Sequence, residues 1–225
     1  MWGLRGYWAI FWGAFLLRLR IARPKKESAD FFCYRQQWNE KVARGFGFRF
    51  KTQGPATPPG TLIVSTHSGF ADINALLCTL PVQCKPHFIS KIEIGRIPFF
   101  GWHLQYFGDI LFDRNDKTAR KNVIEQVMTR LEQGFSVVLF PEGTRSKTGH
   151  PKKQIHPALI EHAIARNLPI QPVAIIGTSN LIEHPFTLPK STIIAVAYGE
   201  IRKNYGSAVE VWDKVLGLWS ELESY

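Results

Sequence analysis

Apolar residues in this 225-residue chain fall into short unbroken runs, spaced by stretches with helical periodicity. TLIVST is a continuous, β-branched run, as a strand buried on both faces requires. FRFKTQG alternates like a short strand, and HFIS, DILF, SVVLF, QPVAII and IIAVAYG are further strand candidates. Between 117 and 133, Ala119, Val123, Val127 and Leu131 recur every four residues with Ile124 beside them, and Gly134 follows as a helix stop. ESADFFCYRQQWNEKVARGFG, INALLCTL (ended by Pro81), HPALIEHAIARN and SAVEVWDKVLGLW complete the helical set. Pro58-Pro59-Gly60 marks a turn. Strands of about five residues alternating with helices predict an α/β fold: a single domain with a largely parallel sheet flanked by helices.

One stretch breaks this pattern. YWAIFWGAFLL, residues 7–17, is uninterrupted apolar and aromatic sequence. Eleven helical residues reach roughly 17 Å, short of the roughly 30 Å hydrocarbon core. Arg5 precedes the run, and Arg18, Arg20, Arg23, Lys25 and Lys26 follow it. Aromatic rings at headgroup level with cations beside them describe a short N-terminal membrane-interfacial helix, and the competing reading is a helix packed on the protein's own core. The expected division is an anchor over residues 1–25 and one domain over residues 26–225.

Charge adds a constraint on partners. Lys+Arg 28 against Asp+Glu 18 gives a formal net charge of +10, which favours anionic partners. No zinc finger, RNP-like aromatic pair or basic helix points to nucleic acid, and the basic residues are scattered rather than striped. Cys33, Cys78 and Cys84 form neither a disulfide framework nor a C-x-x-C pattern, and no ligand cluster has metal spacing.

In open α/β sheets, ligands gather beyond the carboxyl ends of the strands. His67 follows TLIVST, Arg114 follows DILF, and Glu142 to Arg145 follow SVVLF. His67 and Asp72 would lie about 140° apart on one helix. They meet only if His67 ends the strand and Asp72 sits in the first helical turn, with Gly69 loosening the turn between them. Asp72 would then accept the Nδ1 proton and leave Nε2 as a general base. No serine or cysteine is placed as a nucleophile, so the substrate would supply the attacking oxygen. Taken alone, the pair also fits a satisfied histidine beside a helix-start aspartate. In FPEGTRS, residues 140–146, Gly143 permits a tight turn whose amides can form an anion nest, and Arg145 offers a phosphate fork. Arg114, with Asp113 beside it, would make the second half of a phosphate clamp. Lys91 opens a basic and aromatic stretch, SKIEIGRIPFFGWHLQ, that suits either an acyl groove or core packing. The remaining histidines, such as His87 and His150, have no comparable carboxylate partner.

Together these stretches resemble the glycerolipid acyltransferase family, and in particular bacterial 1-acylglycerol-3-phosphate acyltransferases. The likeness rests on His67-x4-Asp72, Gly108 through Phe112-Asp113-Arg114, Phe140 to Ser146, and Pro169-Ile170-Gln171-Pro172-Val173, in that order across roughly residues 50–180. It implies transfer of a fatty acyl group from acyl-CoA or acyl-carrier-protein to the hydroxyl of 1-acylglycerol-3-phosphate, forming phosphatidate at a phospholipid membrane surface with no metal or redox cofactor; the alternatives are another lyso-lipid or amphiphilic alcohol as acceptor, or a non-catalytic membrane lipid-binding protein. It implies His67 and Asp72 as the catalytic pair. Arg114, Arg145, Glu142, Gly143, Thr144 and Lys91 would bind substrate. The backbone amides of Ser68 and Gly69 are the expected oxyanion donors. A position on the cytoplasmic face of the inner membrane would follow. Ser68-Gly69 stands where the family carries a bulkier pair, which would widen the pocket.

Overall fold

The structure, a computed structural model, describes residues 5, 8–13, 15, 29–96, 100–113, 116–146, 148–179 and 191–224. After the N-terminal stretch come α1 (Ala29–Phe46), β1 (Phe48–Gln53), β2 (Leu62–Ser65), α2 (Ala71–Thr79), β3 (His87–Lys91) and α3 (Phe100–Tyr106). Then follow β4 (Ile110–Phe112), α4 (Lys117–Glu132), β5 (Val137–Leu139), α5 (Ala158–Ala165), β6 (Ile170–Ile176), β7 (Thr192–Tyr198) and α6 (Ala208–Glu223). The sheet has the order β1-β7-β6-β2-β5-β3-β4, and every pairing is parallel except β6 with β7. This is the expected α/β class. The helix α3 was not anticipated; its segment carries no apolar period long enough to announce it.

The pattern of TLIVST explains the position of β2. Ile63 packs into a core layer with Phe31 and Phe46 of α1 and Leu76 of α2. Leu62 and Val64 point the other way, toward Val127 of α4, Ile160 of α5 and Val211 of α6. Successive side chains alternate across a strand, so a strand with apolar residues at every position belongs in the middle of a sheet covered on both faces.

That two-sided cover also fixes where a site can form. The helix after β2 joins the layer containing α1, whereas α5, after the neighbouring β5, joins the opposite layer. The chain leaves two adjacent parallel strands toward opposite faces, which opens a crevice at their carboxyl ends.

One buried ion pair stitches α1 to the far half of the sheet. Arg35 Nη2 lies 2.6 Å from Asp109 Oδ2, and Arg35 Nη1 donates to the carbonyl of Pro86. Asp109 Oδ1 accepts from the amide of Phe88. Burial pushes the Asp109 carboxyl upward, and the Arg35 charge opposes that shift.

Residues 8–13 are helical and meet α1 at Trp38. Trp38 Nε1 donates to the carbonyl of Ala9 at 3.0 Å, and Ala9 and Ile10 pack on the core. A methyl group at Gly13 would fall 2.0 Å from Trp38 Nε1, so only glycine permits this approach. Trp8, Phe11, Trp12 and Phe15 are 41–62% exposed. One face of this stretch thus packs on the protein's own core, and its aromatic face is left exposed. Arg18, Arg20, Arg23, Lys25 and Lys26 lie outside the described residues. Among the described residues, no helix is long and apolar enough to cross a membrane.

Candidate active site

The end of β2 delivers His67, and the first turn of α2 delivers Asp72, as the spacing requires. His67 Nδ1 lies 2.7 Å from Asp72 Oδ2. The same oxygen accepts from the amides of Ser68 at 2.7 Å and Gly69 at 2.8 Å. Asp72 is fully buried, and its Oδ1 has no hydrogen-bond partner among the described residues. The His67 side chain is 17% exposed and stacks on Phe140, with ring centroids 4.1 Å apart and planes 14° from parallel. With Nδ1 committed to Asp72, Nε2 is the nitrogen left for a substrate.

This geometry corrects two expectations. The amides of Ser68 and Gly69 are spent on Asp72, so they cannot also serve a developing oxyanion. Gly69 does not widen a pocket either. A methyl group there would sit 2.3 Å from the carbonyl oxygen of Thr178, so the glycine is required by close approach of the segment after β6.

The FPEGTRS loop holds the main chain of His67 from both sides. Its N–H donates to Glu142 Oε1 at 2.8 Å, and its carbonyl accepts from the amide of Ser146 at 2.8 Å. Glu142 Oε2 accepts from the amide of Lys152 at 3.0 Å. Both oxygens of this buried carboxylate are therefore engaged by backbone amides. Burial pushes the Glu142 carboxyl above its usual range, and the two amides pull it back. On the other flank, Thr66 Oγ1 accepts from the amide of Ile175, so the end of β2 is also tied to β6.

The remaining expected residues are placed as follows. Gly143 has φ +71, and the turn it makes leaves Thr144 and Arg145 exposed beyond the end of β5. Lys91 is half-buried at the end of β3, paired in register with Phe112 of β4. Arg114 lies outside the described residues, and so does its expected contact with Asp113. In the fourth matching stretch, Gln171 is at the opposite, amino end of β6. It bonds Thr57 and the carbonyls of Pro55 and Gly199, which makes it a structural latch. Two contributors went unanticipated: the Phe140 ring, whose stacking is invisible in a strand pattern, and Lys152. A signal for Lys152 existed in the basic, acid-free run after FPEGTRS.

Among the described residues, no group of three or more His, Cys, Asp or Glu side chains could hold a metal ion. A groove of about 950 Å³ runs beside the edge strand β4, lined by Ile92, Gln105, Asp109 and Arg130 among others. Its lining includes none of the expected site residues.

Residues 48–176, more than half of the chain, match the family model described as Acyltransferase. The chain belongs to the glycerolipid acyltransferase family. It is 38% identical over 146 residues to the 1-acyl-sn-glycerol-3-phosphate acyltransferase of Escherichia coli (strain K12), covering 63% of this chain and 58% of that protein. Identity with the Helicobacter pylori enzyme of the same description is 37% over 120 residues, 52% of this chain and 48% of that protein. The lyso-ornithine lipid O-acyltransferase of Pseudomonas aeruginosa is 27% identical over 157 residues, 68% of this chain and 58% of that protein. Matches to relatives from Brassica napus and Arabidopsis thaliana span 36% and 35% of those proteins, so the chain covers about a third to a half of several curated relatives. The crystal structure of the 1-acyl-sn-glycerophosphate (LPA) acyltransferase PlsC from Thermotoga maritima aligns with a TM-score of 0.76 at 22% identity, over 100% of this chain and 95% of that one, a likeness of fold.

Glu142 bridges two amides, and glutamine has one acceptor oxygen, so its NH2 would face a donor. Glu142→Gln is expected to lower stability by about 1–3 kcal/mol, read from urea unfolding. An unchanged midpoint would show that the bridge contributes nothing.

Proposed function

We propose that this protein transfers a fatty acyl group from acyl-CoA or acyl-carrier-protein to the free hydroxyl of 1-acylglycerol-3-phosphate, forming phosphatidate. The observation that carries this reading is the partly exposed His67 imidazole, oriented by a buried carboxylate 2.7 Å from Nδ1.

In this mechanism His67 Nε2 takes the proton of the acceptor hydroxyl as its oxygen attacks the thioester carbonyl. Asp72 keeps the proton of Nδ1 in place and stabilises the imidazolium that forms. Collapse of the tetrahedral intermediate breaks the C–S bond, and the imidazolium returns a proton to the leaving thiolate. The products are an ester and a free thiol, and His67 regains its starting state. Arg145 and Arg114 hold the acceptor's phosphate, with Gly143 and Thr144 shaping the turn and Lys91 adding charge. Glu142 acts first on the protein, since its two oxygens fix the main chain of His67 and the loop that carries Arg145. Holding two substrates and a base in register is itself a large share of such catalysis.

A second acceptor class, a lyso-lipid without the phosphate, is favoured by the match to the lyso-ornithine lipid enzyme over 68% of this chain. The membrane surface is the second partner. Trp8, Phe11, Trp12 and Phe15 give the N-terminal helix an aromatic outer face while Trp38 holds its inner face, which suits a peripheral protein on the cytoplasmic side of the inner membrane.

His67→Ala is expected to lower kcat by a hundredfold or more, about the range of general-base catalysis, in an assay of thiol release and product mass. A rate within threefold of the parent would remove His67 from the mechanism. Trp8→Glu combined with Trp12→Glu should weaken co-sedimentation with anionic liposomes by roughly tenfold. Undiminished binding would mean that another surface meets the membrane.

A further inference from the structure

Ten residues past Glu142 the chain returns to the same turn through Lys152. Its main chain is fixed at both ends: the amide donates to Glu142 Oε2 at 3.0 Å, and the carbonyl accepts from Nε1 of the buried Trp212 of α6 at 2.9 Å. From that fixed point the side chain reaches Thr144. Its Nζ donates to the Thr144 carbonyl at 3.4 Å and contacts Thr144 Oγ1.

The donor count at this turn is informative. An ammonium has three N–H donors, of which two go to Thr144. When Thr144 Oγ1 accepts from Lys152, its own proton is free to point elsewhere. Arg145, the next residue, is exposed. The one acid of the turn, Glu142, is buried with both oxygens on amides; the Lys152 charge helps to hold its carboxyl down, but its oxygens take no hydrogen bond from the ammonium. No Asp or Glu follows until Glu161, while Arg145, Lys147, Lys152 and Lys153 fall in between. A hydroxyl, an ammonium and a guanidinium thus share a turn whose one carboxylate is buried on amides, beside the main chain of His67.

We propose that Lys152 is a specificity-determining residue of this site, whose ammonium, with Thr144 and Arg145, binds a phosphate monoester on the lyso-lipid acceptor. The inference rests on the acyl-transfer reading above and deepens it. The charge is unlike that of a surface lysine because its backbone is anchored and its stem is held by Thr144. Less conformational freedom is then lost when an anion arrives. The same chemistry could come from the phosphates of a CoA donor, and the experiment separates the two.

The main-chain bonds to Glu142 and Trp212 survive any side-chain change at 152, so Lys152→Met removes the ammonium and leaves the strut. Lys152→Arg keeps the charge. Both variants are made in the full chain, with melting temperatures as a control, and KM is measured for three substrates. These are a lyso-lipid with a phosphate monoester, a lyso-lipid without phosphate, and the acyl donor. With Lys152→Met, KM for the phosphate-bearing acceptor should rise about tenfold, with kcat and the other two KM values within threefold of the parent. Lys152→Arg should lie within threefold of the parent throughout. An unmoved acceptor KM, an equal rise for both acceptors, or a rise in donor KM instead would each overturn the assignment.

If the parent protein acylates no phosphate-bearing acceptor, the proposed function fails, and calorimetric titration with glycerol 3-phosphate decides the Lys152 site separately. Parent binding that weakens about tenfold in Lys152→Met and persists in Lys152→Arg upholds it. Absent binding by the parent, or equal binding by all three proteins, overturns it.

Discussion

A single oxygen, Asp72 Oδ2, gathers the amides of Ser68 and Gly69 and faces Nδ1 of His67. A carboxylate removed from water this completely is costly unless donors surround it. Among the described residues its donors are those of the tight turn between β2 and α2, so the turn, the helix start and the imidazole orientation are parts of one solution. The requirement reaches further. The turn can close only because residue 69 lacks a side chain where Thr178 passes. The strand before it must then be a central one, with Thr66 bonded to β6 on one side and β5 paired on the other.

The FPEGTRS loop belongs to the same construction. It grips His67 by its amide and its carbonyl, through Glu142 and Ser146, so His67 and the loop that carries the exposed Arg145 are parts of one hydrogen-bonded unit. That unit sits at the crevice where the chain leaves β2 and β5 toward opposite faces of the sheet. A strand order that separated β2 from β5 would part His67 from Arg145 and Lys152, whatever the side chains. Trp212 extends the connection to α6 through Lys152, which ties the C-terminal helix to the segment after FPEGTRS.

Much of this was legible in the order of residues. The unbroken run of TLIVST implied burial on both faces, and β2 has it. The five-residue gap between His67 and Asp72 required a strand end and a helix start, and the chain supplies both. What escaped was set by tertiary approach. Nothing local says that the Ser68 and Gly69 amides turn toward Asp72 rather than toward a substrate. Gly69 resembled a flexible turn glycine because the segment that crowds it lies more than a hundred residues away. The resemblance implied Glu142 as a substrate ligand, and nothing local says that its carboxylate also accepts from the amide of His67, far away in the chain, and from that of Lys152. Helix α3, seven residues long, is held by packing on the turn at Ile94–Arg96 rather than by periodicity.

The central claim is that the Asp72 carboxylate makes His67 a base through charge as well as position. Asp72→Asn tests it directly, because asparagine keeps an oxygen that can accept the Ser68 and Gly69 amides and the Nδ1 proton but removes the charge. Steady-state acyl transfer by a variant with an unaltered circular dichroism spectrum should show kcat lower by about 10³–10⁴, with both KM values close to the parent. A kcat within tenfold of the parent would contradict the account and leave His67 and Asp72 as a structural pair at a strand end.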